Sequence, residues 1–76
     1  MRAISVALDQ IAKKILEELA IGSLSANEIA KRCTGGAMRM ASPRLVWLEG
    51  LGLIESAGGD TFGITAIGVR FLAVIA

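Results

Sequence analysis

The run from Leu45 to Glu55, LVWLEGLGLIE, restricts this chain more than any other. Leucines three apart, at 45, 48 and 51, mark one face of a helix, and Gly52 stands where a helix ends in a left-handed residue. Leu53-Ile54-Glu55 then opens a strand that continues to Ala57. A chain that passes from helix to strand here needs helices before the junction and a returning strand after it.

Both are readable. Upstream, Leu8, Ile11, Ala12, Ile15, Leu16 and Leu19 recur at helical spacing over about Ser5 to Ala20, with Gln10, Lys13, Lys14, Glu17 and Glu18 opposite. Asp9–Lys13, Lys13–Glu17 and Lys14–Glu18 are spaced for weak ion pairs along that helix, and Gly22 stops it. Ser23-Leu24 is a short link with room for one strand bridge. Ser25-Ala26-Asn27-Glu28 fits a capping box. A second helix therefore starts at Ala26, carries Ile29, Ala30 and Cys33 inward, and ends at Arg32 to Thr34, before a Gly35-Gly36 turn.

The third helix starts between Arg39 and Ser42, on an expectation set by Pro43: proline is tolerated in a first turn and breaks an interior. Ser42 as N-cap with Pro43 in the first position is the simplest arrangement; the alternative starts at Met38 and puts the proline one turn in. Ala41, Leu45, Leu48 and Leu51 form its inward stripe, and Trp47 packs at its edge in preference to stacking on a ligand or base. Downstream, Gly58-Gly59-Asp60 is hairpin-turn material. Thr61 to Ile64 is the returning strand, with Phe62 and Ile64 on one face, and Thr65 caps a last helix from Ala66 to about Ile75. The expected class is α+β, mostly α, as one domain over residues 1–76.

Composition narrows the chemistry. The chain has 76 residues, 54% of them apolar. A chain this short buries only about 60–65% of the surface it exposes unfolded. Such an apolar composition then implies a surface reserved for another chain. The last helix supplies the candidates, Val69, Phe71, Leu72, Val74 and Ile75, together with Ile4, Val6 and Leu8 near the start; the simpler alternative is that these segments cover each other. One cysteine, Cys33, excludes an internal disulfide and fits a reducing compartment. Cys33 reads as a small buried apolar group. With no histidine and no second cysteine, an ordinary zinc site is excluded. Gly50-x-Gly52 is not a dinucleotide fingerprint, because those glycines follow a strand and open a helix, the reverse of this order. The carboxylates are scattered and no Ser/His or Cys/His pair exists, so enzyme activity and a bound cofactor are not expected. No leader-like run and no span of about 20 apolar residues appears, which makes a soluble, cytoplasmic protein the expectation.

Three segments together resemble the winged helix-turn-helix domains of bacterial and archaeal transcription regulators, the MarR-like proteins and their relatives. These are SANEIAKRC (Ser25 to Cys33), LVWLEGLGLIE, and FGITAIGVRFL (Phe62 to Leu72). The second is similar to a helix ending L-x-x-L-E-x-x-G-L-I that opens the wing; the third, to an aromatic-x-Leu/Ile-Thr-x-x-Gly run leading into the last helix. The resemblance implies a three-helix core, a two-stranded hairpin wing and a C-terminal helix. It also implies a homodimeric, sequence-specific regulator with its recognition helix, about 39–51, in the DNA major groove. Groove-facing positions would be Met38, Arg39, Met40, Ser42, Arg44 and Val46; Lys31 and Arg32 would meet phosphate.

Net charge is only +1, so global charge does not speak for DNA, but Lys31, Arg32, Arg39 and Arg44 lie in one stretch with no acid among them. Arg39 and Arg44 could fork onto guanine O6 and N7 or simply be solvated. Lys31 and Arg32 would otherwise favour the helix C-terminus electrostatically. Two features depart from the family pattern: Pro43 with its double-glycine turn, and a wing tip, Ser56 to Thr61, that has no Lys or Arg and carries Asp60. A protein–protein assembly module of the same fold, without DNA binding, is the alternative that the near-zero charge, acidic wing and apolar surface favour.

Overall fold

The computed structural model describes residues 10–75. The expected helix start at Ser5, the Asp9–Lys13 pair and the apolar positions Ile4, Val6 and Leu8 lie outside them. In chain order the elements are α1 (Gln10–Ile21), β1 (Leu24–Ser25), α2 (Ala26–Thr34), α3 (Met38–Gly50), β2 (Ile54–Ser56), β3 (Thr61–Ile64) and α4 (Ala66–Ile75). The fold is α+β and mostly helical, with a small antiparallel sheet.

The core follows the sequence pattern. Ala12, Ile15, Leu16 and Leu19 of α1, Ile29 and Ala30 of α2, and Ala41, Leu45 and Leu48 of α3 are buried together with Leu53 and Ile54. Cys33, Trp47, Phe62, Ile64, Phe71, Leu72 and Ile75 pack against this cluster half-buried. Charged residues stay at the surface: Lys14 Nζ lies 3.8 Å from Glu18. Among the described residues no helix is long and apolar enough to cross a membrane.

The short strand for which the Ser23-Leu24 link leaves room forms one residue later, at Leu24–Ser25, and widens the hairpin to three strands. β1 pairs with β3 (Leu24 opposite Phe62, Ser25 opposite Thr61) and β2 pairs with β3 (Ile54 opposite Ile64), giving the order β1-β3-β2. The reason is local. An N-cap residue must be extended, and Ser25, at φ −75 and ψ 162, accepts from the Glu28 amide while its backbone already has strand geometry. β3 can therefore pair with it at no conformational cost. The Ala26 amide also donates to the Asp60 carbonyl at 2.9 Å, so the hairpin turn helps to close the first turn of α2.

The third helix corrects two expectations. It starts at Met38, the alternative start, and not between Arg39 and Ser42, so Pro43 sits inside it and Ser42 is not its cap; the residue before it, Ala37, makes no side-chain cap bond. Ala41 explains this. It is fully buried in line with Leu45 and Leu48, and that packing holds the segment before the proline in helical form. Pro43 is exposed, so its ring and the Arg39 carbonyl it cannot bond, one turn back, face solvent and not the core. Leu51 does not continue the inward stripe; it is 52% exposed. Each three-residue step falls roughly 60° short of a full turn, so by Leu51 the stripe has rotated off the core, and α3 has already ended at Gly50.

The ending itself matches the expected glycine stop. Gly52 has φ 79; its amide reaches the Glu49 carbonyl at 3.0 Å and the Leu53 amide reaches the Leu48 carbonyl at 3.1 Å, a Schellman closure. Leu53 lies just before β2, outside the ladder: its buried side chain packs in the core and its carbonyl accepts from the Thr65 amide.

Candidate functional site

The stretch Lys31 to Arg44 falls on the last turn of α2, the glycine turn and the first half of α3. α2 ends because the amides of Gly35 and Gly36 both fold back onto the Ala30 carbonyl. Both glycines have positive φ, 67 and 96. The Thr34 hydroxyl lies between two carbonyls, 2.7 Å from that of Ala30 and 3.0 Å from that of Ala37, and ties the end of α2 to the residue preceding α3. The turn thus holds the two helices in a defined relation.

A shallow cleft of about 240 Å³ opens at this turn, lined by Asn27, Ala30, Lys31, Gly36 and Met38. Asn27 is not among the expected site residues. The signal for it is plain once α2 is placed: it stands four residues before Lys31, on the same helical face.

The four cations of the stretch have different fates. Arg32 is ion-paired, 3.3 Å from Glu18 of α1 and 3.5 Å from Glu28 of its own helix, and so joins α1 to α2. Arg44 is half-buried and its Nη1 donates to the Met40 carbonyl at 2.6 Å, bracing the turn of α3 that contains Pro43. Lys31 and Arg39 are exposed, and neither forms an ion pair with another described residue. The positive stretch therefore narrows to two outward cations, one on each helix beside the cleft.

The remaining positions divide as well. Met38 is half-buried at the cleft, Met40 is 42% exposed, and Ser42 is exposed. Along the outermost line of α3, Arg39 is followed by Pro43, Val46 and Gly50, all exposed, with Val46 at 71%. The family resemblance points to Val46 there but not to Pro43 or Gly50. At the hairpin tip Gly58, Gly59 and Asp60 are exposed and bring no cation.

Cys33 packs against the core behind Arg32. Burial, and then the Glu18 carboxylate, push its thiol above the usual range, only partly opposed by Lys14 and Arg32. It stays protonated and weakly nucleophilic near neutral pH. Among the described residues no group of His, Cys, Asp or Glu side chains is clustered to hold a metal ion.

No family profile, curated protein or solved structure matches this chain. The site has to be interpreted from its own geometry.

Of the five apolar residues expected at a dimer interface, Phe71, Leu72 and Ile75 turn toward the core and are half-buried, while Val69 and Val74 point out. Ile67 joins this outward set; it is absent from the sequence-based expectation.

Proposed function

We propose that this protein is a sequence-specific DNA-binding transcription regulator of winged helix-turn-helix architecture, acting as a homodimer on duplex DNA. The observation that carries the proposal is the pair α2–α3. Lys31 and Arg39 flank the turn, outside any ion pair among the described residues, and the outer face of α3 is open along its whole length. In this reading α3 enters the major groove, α2 rests across the backbone, Lys31 meets phosphate, and Arg39 reaches phosphate or a guanine edge. Arg32, held by two carboxylates, contributes less. The hairpin, without a cation at its tip, adds little phosphate neutralisation, the main source of affinity in such complexes.

The test is binding to DNA from the protein's own promoter region at several salt concentrations. Replacing Lys31 and Arg39 with alanine is expected to weaken binding and to reduce the salt slope by about 1 for each phosphate no longer neutralised. An unchanged affinity and slope in the double variant removes both residues from the interface.

One observation favours a second reading. Beyond Arg39, the outer line of α3 is apolar, which also suits a protein partner and an assembly role without DNA. Binding to mixed genomic DNA at low salt separates the two: a regulator binds weakly and non-specifically there, and an assembly module does not bind.

A further inference from the structure

The outer face of α3 has an arrangement that bears on which bases it would read. Arg39, Pro43, Val46 and Gly50 fall on one line of the helix, about one turn apart, and all four are exposed. Of these four, only the first is charged. Val46 is 71% exposed. Arg44 is turned back onto the Met40 carbonyl, so its guanidinium does not lie along the line. Glu49 is engaged by the Ser56 hydroxyl at 3.1 Å. The face is thus one cation followed by an apolar ridge, with the exposed Ser42 hydroxyl on one flank, four residues before Val46.

Within the DNA-binding reading, on which this inference rests, we infer that α3 discriminates bases chiefly through the C5-methyl group of thymine, with Val46 as the specificity-determining residue. Of the groups on the major-groove edges of the four base pairs, the thymine methyl is the apolar one. Val46 has no hydrogen-bonding atom in its side chain, and neither do the two exposed residues flanking it on the ridge. A groove lined by amide and carbonyl edges would be desolvated against this ridge without compensation, whereas a methyl group gains from burial there. Charge complementarity fixes the docking polarity: Arg39 and Lys31 at the amino-terminal end meet phosphate or guanine, and the ridge follows. Arg39 and Val46 are seven residues apart, about 10 Å along the helix, or about three base-pair steps. The expected core of the site has thymine about three pairs from the position read by Arg39.

Uracil-for-thymine exchange removes this methyl and leaves pairing and backbone charge intact. A pool of random-sequence duplexes is selected for binding, and the enriched duplex is then remade with uracil. Wild-type protein is expected to bind the uracil duplex about fourfold more weakly for each methyl it covers, the effect of burying one such group. Val46→Ala is expected to reduce this thymine-to-uracil ratio by the share of Val46, and the ratio is read whatever the variant's affinity for the uracil duplex. A matching thermal melt shows that the exposed substitution leaves the fold intact. Equal binding of both duplexes by the wild type overturns the inference and leaves DNA binding standing. Full discrimination retained by Val46→Ala overturns the assignment to Val46. No binding to any duplex at low salt overturns the DNA-binding reading and this inference together.

Discussion

Gly68 lies where α4 crosses the chain just past α3. It is buried, and a β-carbon added there would collide with the Leu53 carbonyl and come within 2.7 Å of Ile64 Cγ1. The close approach is held by Thr65, whose hydroxyl donates to the Gly52 carbonyl at 2.6 Å or the Leu53 carbonyl at 3.1 Å and accepts from the Gly68 amide at 3.0 Å. The backbone on the other side cannot yield, so Gly68→Ala is expected to lower stability by about 2 kcal/mol, within the usual cost of overpacking. Urea unfolding checks this, and an unmoved midpoint would mean that α4 is free to shift. At the same scale the candidate site is only partly legible in the sequence. The run of cations is visible as a run. That Arg32 is engaged by Glu18 is not, because the partner lies on another helix and periodicity says nothing of how two helices face each other.

At the scale of elements, most of the order is legible: the serine cap at Ser25, the half of the expected capping box that forms, and the glycine stop at Gly52 each set a boundary that the structure keeps. Those boundaries depend on hydrogen bonds within a few residues. The start of α3 does not. Local preference puts it at Ser42, ahead of the proline; burial of Ala41 with Leu45 and Leu48 puts it at Met38. The third strand is only half legible for the same reason, since its partner is distant in sequence. Pro43 thus occupies a helix interior, where proline costs about 3 kcal/mol against alanine, less the roughly 0.4–1 kcal/mol by which it restricts the unfolded chain. Pro43→Ala is expected to raise stability by about 2–2.6 kcal/mol, read as a higher urea midpoint with unchanged slope. A helix beginning at Ser42 would give the opposite sign, because proline favours a first position.

For the molecule as a whole, the strand edges and the helix faces offer a second copy very different surfaces. β1 has two residues and β2 three; edges this short offer little to an added strand. The apolar surface is instead on helices: Ile67, Val69 and Val74 (82% exposed) on α4, Ile21 at the end of α1, and Met40 and Val46 on α3, the helix that the DNA-binding proposal assigns to the groove. The proposed homodimer therefore uses α4. Sedimentation at micromolar concentration is expected to give a dimer, and Val69→Lys with Val74→Lys a monomer of unchanged circular dichroism. A monomeric wild type would remove α4 as a stable interface. In the dimer the two α3 helices are expected about 34 Å apart, one turn of DNA.

The bond from the Ala26 amide to the Asp60 carbonyl adds a consequence in time. The first turn of α2 draws an acceptor from a hairpin synthesised well after it, so a chain still lacking that hairpin has α2 with a frayed start. Once made, the two close and open as one unit, and exchange of the Ala26 amide with solvent becomes a clock for the hairpin's departures.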